Sequence, residues 1–348
     1  MLSRTLGLCA LSLSLVAPPA DELAYTPSTE PAWTLTFEEV SEFELESMVQ
    51  TVGGTEISGP SPEMSGAISR RITVSDAGKE VKDGRMTRRL RTFDEVESDC
   101  KLEVTAMGQG QEFGISFGSE LQGSELSIAW DAEEEAHSFA FTEDDAPDAR
   151  LLEGLLEDLD YQLLMPPEGA EEGDSWNVDL AGARALFSPG GHLELMPSEA
   201  PVVRGGIIEG QDLIAIATMS MAEASRQIEG ELSATWTETV KDSGRSLVVI
   251  SLELEAEFVA DVADDLEEMT ASVDLPPRED YRFESTWEVE GFGELRWDLA
   301  AGHFHALDLE LESMVEISIG FSESFGDIEV EVETSGETKL TARAEPVE

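Results

Sequence analysis

The chain has 348 residues, enough for two domains or one large one, and its 41% apolar content suffices for a real core. Its 75 acidic residues against 21 basic ones leave a formal charge of -54, a field that repels nucleic acid and anionic membrane surfaces and so excludes nucleic acid as a natural partner. The same field attracts cations, but the calcium-loop spacing D-x-[DN]-x-[DN]-G is absent; the acidity therefore reads first as a solvated face and second as a Ca²⁺-binding one.

Residues 1–20 have the pattern of a signal peptide. Arg4 supplies the positive flank, Leu6 to Val16 is an apolar run too short to span a bilayer, and no acid precedes Asp21. Residues 21–32 form a flexible lead-in. No later segment is long and apolar enough for a membrane helix, so the mature chain is expected to be exported, periplasmic or extracellular, without a transmembrane segment. Cys9 leaves with the signal. Cys100 then has no partner and reads as a small core residue.

An N-terminal β half is expected over 33–143. Trp33, Leu35 and Phe37 alternate with polar residues, as do Phe43, Leu45 and Val49, which is the period of a strand with one apolar face. Gly53-Gly54 and the run Gly59-Pro60-Ser61-Pro62 read as turns. Residues 70–91 are the electrostatic exception, with eight of the 21 basic residues in one stretch. Asp83-Gly84 marks a tight turn there, which predicts a hairpin with basic arms. Those arms either pair with Glu-rich neighbours across strands or, through Arg85, Arg88, Arg89 and Arg91, form a site for an anion or an acidic partner. Further short strands follow up to Phe141.

Residues 144–180 predict the one helix of the chain and a hinge. Leu151, Leu152, Leu155, Leu156 and Leu159 recur at helical spacing, Pro147 suits a first turn after Asp145, and Pro166-Pro167 end the helix before Asp174-Ser175-Trp176. A C-terminal β half is expected over 181–348. It opens turn-rich, with a strand at 213–219, and then alternates regularly. Val248 to Phe258 and Leu307 to Ile319 give the longest apolar rows, separated by an acidic excursion at 261–280 and by a turn at Gly291/Gly293. One helix of about four turns is too small to cover that much apolar strand surface. The fold class expected is therefore mainly β: two curved antiparallel sheets, as a sandwich or half-barrel, joined through the single amphipathic helix.

Chemical motifs are sparse. His303 and His305 stand at i and i+2, a spacing that puts two imidazoles on one strand face and suits Zn²⁺ or Cu²⁺; alternatively they are ordinary histidines after the turn at Gly302. Gly173-Asp174-Ser175 has the letters of an esterase block, but Trp176 follows where that family has Leu, and the block lies mid-chain. No nucleophile elbow, zinc-protease helix, P-loop or dinucleotide fingerprint is present. The run L-L-M-P-P-E-G…E-E-G-D-S-W at 163–176, the later G-E-L-R-W-D-L-A-A-G-H-F at 293–304, and Asp83-Gly84-Arg85 leading to Arg91-Thr92-Phe93 resemble a group of uncharacterised exported bacterial proteins. The resemblance implies an exported β-rich protein and transfers no catalytic residue. The function expected is non-enzymatic: binding of an apolar ligand or a partner segment in the cell envelope. A structural protein binding cations or a basic partner through its acidic face comes second, and a metalloenzyme using His303 and His305 third.

Overall fold

The computed structural model describes residues 28–30, 32–57, 62–82, 85–106, 109–143, 147–180, 182–197, 228–261, 282–323 and 326–347. The signal peptide, most of the lead-in, the Asp83-Gly84 turn, the strand expected at 213–219 and nearly all of the acidic excursion lie outside those residues.

Period-two alternation wins almost everywhere. In chain order the strands are β1 (Trp33–Val52), β2 (Thr55–Glu56), β3 (Glu63–Lys82), β4 (Arg85–Ala106), β5 (Gln109–Gly118), β6 (Glu125–Asp131), β7 (Ala136–Phe141), β8 (Ser175–Val178), β9 (Met196–Pro197), β10 (Ile228–Asp242), β11 (Arg245–Asp261), β12 (Arg282–Asp298), β13 (His303–Glu323) and β14 (Gly326–Pro346). All belong to a single antiparallel sheet, in the order β7-β6-β4-β3-β1-β14-β13-β12-β11-β10-β8, with β2 beside β1 and β5 between β4 and β9. This corrects the expectation of two sheets. β1 pairs with β14 along nearly its whole length, so the first and last strands join the two halves into one sheet where a sandwich would have kept them apart.

The expected helix is absent, and the reason is local. Asp148 caps only a short 3-10 turn at Ala149–Leu152, Glu153 is already extended, and Gly154 follows at φ 75°. Leu155 bridges to Gly191, Asp158 accepts the Asp160 N–H on its side chain at 2.9 Å, and Tyr161 is left-handed at φ 55° before a second short turn, Gln162–Leu164. Glycine and aspartate weaken a helix interior, the one by backbone freedom and the other by competing for backbone N–H groups. Of the five leucines at helical spacing, Leu151, Leu155 and Leu159 are in the core, while Leu152 and Leu156 are half-buried against it.

Between β7 and β10, residues 147–197 lie as an insert against one face of the sheet. The main core joins Leu35 and Phe37 of β1, Ile72 and Val74 of β3, Phe93 of β4, Leu126 of β6, and the rows Val248–Phe258 and Leu307–Leu311 to Leu151, Leu159, Leu164, Leu180 and Leu186 of the insert. Tyr161 meets Phe37 and Phe304 edge-on, and Phe187 meets Phe258 on β11. Strands from both ends of the sheet thus touch one irregular segment, so the sheet curls around it. Gly291 and Gly293, expected at a turn, sit in the middle of β12. A Cβ at Gly293 would come within 2.6 Å of the Asp308 carbonyl and 2.8 Å of Leu309, so these glycines let β13 side chains lie flat on the sheet.

Candidate binding face and its arginine clamp

β3 and β4 form a hairpin, as the basic arms require, and alternation sends its charges two ways. Arg71 faces outward and pairs with Glu38 and, at 2.8 Å, with Glu95, both on neighbouring strands. Arg70, Arg89 and Arg91 face the insert. Arg91, 1% exposed, donates to Asp76 at 2.6 and 3.0 Å, to the Leu156 carbonyl at 2.7 Å and to the Glu157 carbonyl at 2.9 Å. Arg89 donates to Asp160 at 3.1 Å and to the Glu157 carbonyl at 3.3 Å. Arg70 pairs with buried Glu39 and reaches the Phe187 carbonyl at 3.4 Å. Three inward arginines therefore take up carbonyl oxygens that a helix or strand would have satisfied itself. Irregular backbone can be buried here because the sheet supplies its donors.

The cluster perturbs its acids in opposite directions. Burial and the adjacent Asp160 charge push Asp158 up to about 7. Burial alone would also raise Asp160, but Arg89, His303, Gln162 and Arg91 outweigh it and hold that carboxyl well below the usual range. Glu157 is lowered, chiefly by its contact with His137, whose Nδ1 lies 3.4 Å away. Of the four arginines singled out from the sequence, Arg89 and Arg91 belong to this clamp. Arg85 lies over the Trp130 ring at 4.3 Å, and Arg88 is exposed. Arg70 and Asp76, which complete the clamp, were missed as functional residues. Their signal was the alternation itself, which puts Arg70, Ile72, Val74 and Asp76 on one face of β3.

His303 and His305 are separated by a β-bulge opposite Arg296 and Trp297. His303 is buried, stacked against Trp33 at 4.5 Å and Trp297 at 6.3 Å between ring centres, with Nδ1 2.9 Å from the Phe304 carbonyl. His305 Nδ1 lies 2.9 Å from an Arg245 N–H, and burial together with that cation lowers its pKa. Among the described residues no group of three or more His, Cys, Asp or Glu is placed to hold a metal ion. Cys100 is buried, and desolvation raises its thiol to about 11. Gly173-Asp174-Ser175-Trp176 is a turn that starts β8: Asp174 accepts the Glu171 N–H at 2.8 Å, and Ser175 shares a hydrogen bond with Thr235 at 2.8 Å.

Along the insert-facing side of the sheet, packing changes from one strand end to the other. Rows through Leu35, Phe37, Leu307, Leu340 and Ala342 are essentially closed to solvent under the insert. A polar belt follows, made of Arg70, Glu39, Ser41 and Thr338, the last two 2.8 Å apart. Past the belt the same face is apolar again. A smaller cluster of Cys100, Leu102 and Phe117 is flanked by half-buried Phe43, Met64, Ile68 and Phe113. Ladder register then aligns Met48, Val332 and Ile317 in one row, with Met48 37% exposed and the other two half-buried. On the opposite face, a groove of ≈ 590 Å³ is lined by Glu231, Glu253, Glu255, Glu290, Glu310, Glu312 and Glu337 around exposed Phe292.

No helix among the described residues is long and apolar enough to cross a membrane, a statement that does not bear on strands. No family model matches the chain, and no curated protein is significantly similar to it. Among solved structures, the outer membrane protein OprG from Pseudomonas aeruginosa aligns over 93% of this chain and 99% of that one, at 6% identity and a TM-score of 0.26. An outer membrane channel from Pseudomonas putida F1 aligns over 92% and 98%, at 7% identity and a TM-score of 0.23. At these values the likeness carries no argument; what stands is a β-rich chain built on one open sheet.

Proposed function

We propose that this is an exported, non-catalytic binding protein of the cell envelope, which holds an apolar ligand or an apolar partner segment on the inner face of its curled sheet. The observation that supports it is the change in cover along that face. The insert closes one half, and beyond the polar belt Phe43, Met48 and Val332 are half-buried or exposed on the side that elsewhere forms the core, with Ile317 and Ile319 half-buried at the edge of the main core. A contiguous apolar surface of that kind on a soluble protein marks a binding site. The clamp serves this function by fixing the insert, so that the free half of the face keeps its shape.

The test uses the neutral dye Nile red with the intact protein and the variants Phe43→Glu and Ile317→Glu. Saturable binding is expected, weakened roughly tenfold or more by either buried charge while the far-UV spectrum is unchanged. Absence of saturable binding, or equal binding by the variants, contradicts the proposal. Organic extraction of natively purified protein, followed by mass spectrometry, then identifies the natural ligand. The acidic groove supports a second reading, a basic partner docking on the outer face. A Ca²⁺ or basic-peptide titration that leaves thermal stability no different from ionic-strength controls removes that reading.

A further inference from the structure

A second feature of the inner face lies at the β8–β10 edge and is not used by the clamp. In the β8–β10 ladder Trp176 stands opposite Ala234 and Val178 opposite Leu232. Directly opposed residues share a face, so Trp176 points to the same side as Leu232, Ala234 and Trp236, the side that carries the core. The ladder continues past its last paired residues, since Trp236 N–H donates to the Asp174 carbonyl at 3.0 Å and Gly173 N–H to the Trp236 carbonyl at 2.7 Å. Trp176 and Trp236 are therefore diagonal neighbours, with backbones about 7–8 Å apart, close enough for two indoles to reach one bound group.

Both indole Nε1–H groups are buried and neither has an acceptor. Trp236 as a whole is 8% exposed, so its N–H is not turned to bulk water. A buried indole N–H is a donor that folding normally matches, and two neighbouring ones left unmatched on one face mark a place where an acceptor belongs. The chemistry narrows the acceptor. An indole donates without carrying charge, so the pair offers no cation to balance an anion. A chain of formal charge -54 also repels anions. A neutral carbonyl has two lone pairs and meets both conditions.

We propose that Trp176 and Trp236 form a two-donor site for the carbonyl oxygen of an uncharged ester or amide group. The site is additional to the apolar face proposed above and selects its own ligand: a molecule with a neutral carbonyl is preferred over a hydrocarbon or a carboxylate of the same length. It lies where β8 of the insert pairs with β10, at the last strand of the sheet, away from the apolar half of the face.

Indole ¹⁵N–¹H spectra of the full chain test it, with the two resonances assigned from Trp176→Phe and Trp236→Phe, variants that keep an aromatic ring and lose the N–H donor. On titration with methyl octanoate, both Nε1–H signals are expected to move downfield together and saturate. Octane should leave them in place, and octanoate should bind at least about tenfold more weakly than the ester. In either Phe variant the remaining indole should shift less and the ester bind several-fold more weakly, with dispersed backbone amides confirming the fold. The proposal is overturned if the ester moves neither indole, if octane moves both equally, or if octanoate competes on equal terms. These outcomes separate from the first proposal: Nile red binding that persists while the indoles stay silent removes only the two-donor site, and loss of Nile red binding with responsive indoles removes only the apolar face.

Discussion

Replacing Arg91 by Met keeps most of the side chain's packing and removes its donors. Asp76 would then retain only Arg89, at 3.5 Å, and the Leu156 carbonyl would lose its 2.7 Å bond; the Glu157 carbonyl would keep only Arg89, at 3.3 Å. Breaking one side of a buried ion pair leaves an uncompensated charge and costs about 3–5 kcal/mol. That is a large fraction of the roughly 5–15 kcal/mol that holds a typical domain together. Urea unfolding measures the loss, and hydrogen exchange at the amides of 156–161 locates it, since that stretch has no ladder of its own to fall back on. The outward pair is the control. Arg71 is half exposed beside Glu38 and Glu95, so Arg71→Met should cost about 0–1 kcal/mol. A loss of less than about 1 kcal/mol for Arg91→Met, or exchange at 156–161 no faster than in the parent, refutes the clamp.

Three further outcomes follow from the same geometry. Asp158 is raised from 3.8 to about 7, so the native chain keeps a proton that the unfolded chain has released between those values; its contribution is full below about pH 4 and is lost as pH rises through 7. Asp158→Asn removes that loss, and thermal unfolding should show the variant gaining on the order of 1–2 kcal/mol at pH 8 and nothing near pH 4, the full shift being reduced by solvent screening. A constant gain across pH contradicts this. Gly293→Ala puts a Cβ within 2.6 Å of the Asp308 carbonyl and should destabilise by about 1–3 kcal/mol in urea, whereas Gly123→Ala, with open space around it but a φ of 84°, should cost only the backbone strain of about 1–2 kcal/mol. Cys100, with its thiol raised to about 11, should react with a soluble maleimide only as fast as the chain unfolds; prompt labelling of the native protein at pH 7.5 contradicts its burial.

Much of the strand content was legible because period two is a strong signal and the inward rows are long. The rows Val248–Phe258 and Leu307–Leu311 are the buried rows of the structure. Sheet count was not legible. It depends on β1 pairing with β14, a contact between the two ends of the chain that no local pattern encodes. Leucine spacing at 151–159 has the same appearance whether an element is a helix or an extended segment whose every fourth residue points inward. What decided it was Gly154, the Asp158 side chain turned on its own backbone, and donors arriving from β4. Gly291 and Gly293 looked like a turn because composition does not distinguish a glycine needed for its φ from one needed for close packing. The basic stretch at 70–91 was conspicuous, but its division into outward Arg71 and inward Arg70, Arg89 and Arg91 required knowing which face the insert covers.

On the proposed reading, the insert closes one half of the sheet's inner face and the other half takes an apolar guest. Hydrogen exchange of the intact protein, with and without saturating Nile red, tests it most directly. Protection should rise in 43–50, 313–319 and 328–334 and stay unchanged in 151–165. Protection confined to 151–165, or to the outer acidic groove around Phe292, would contradict it.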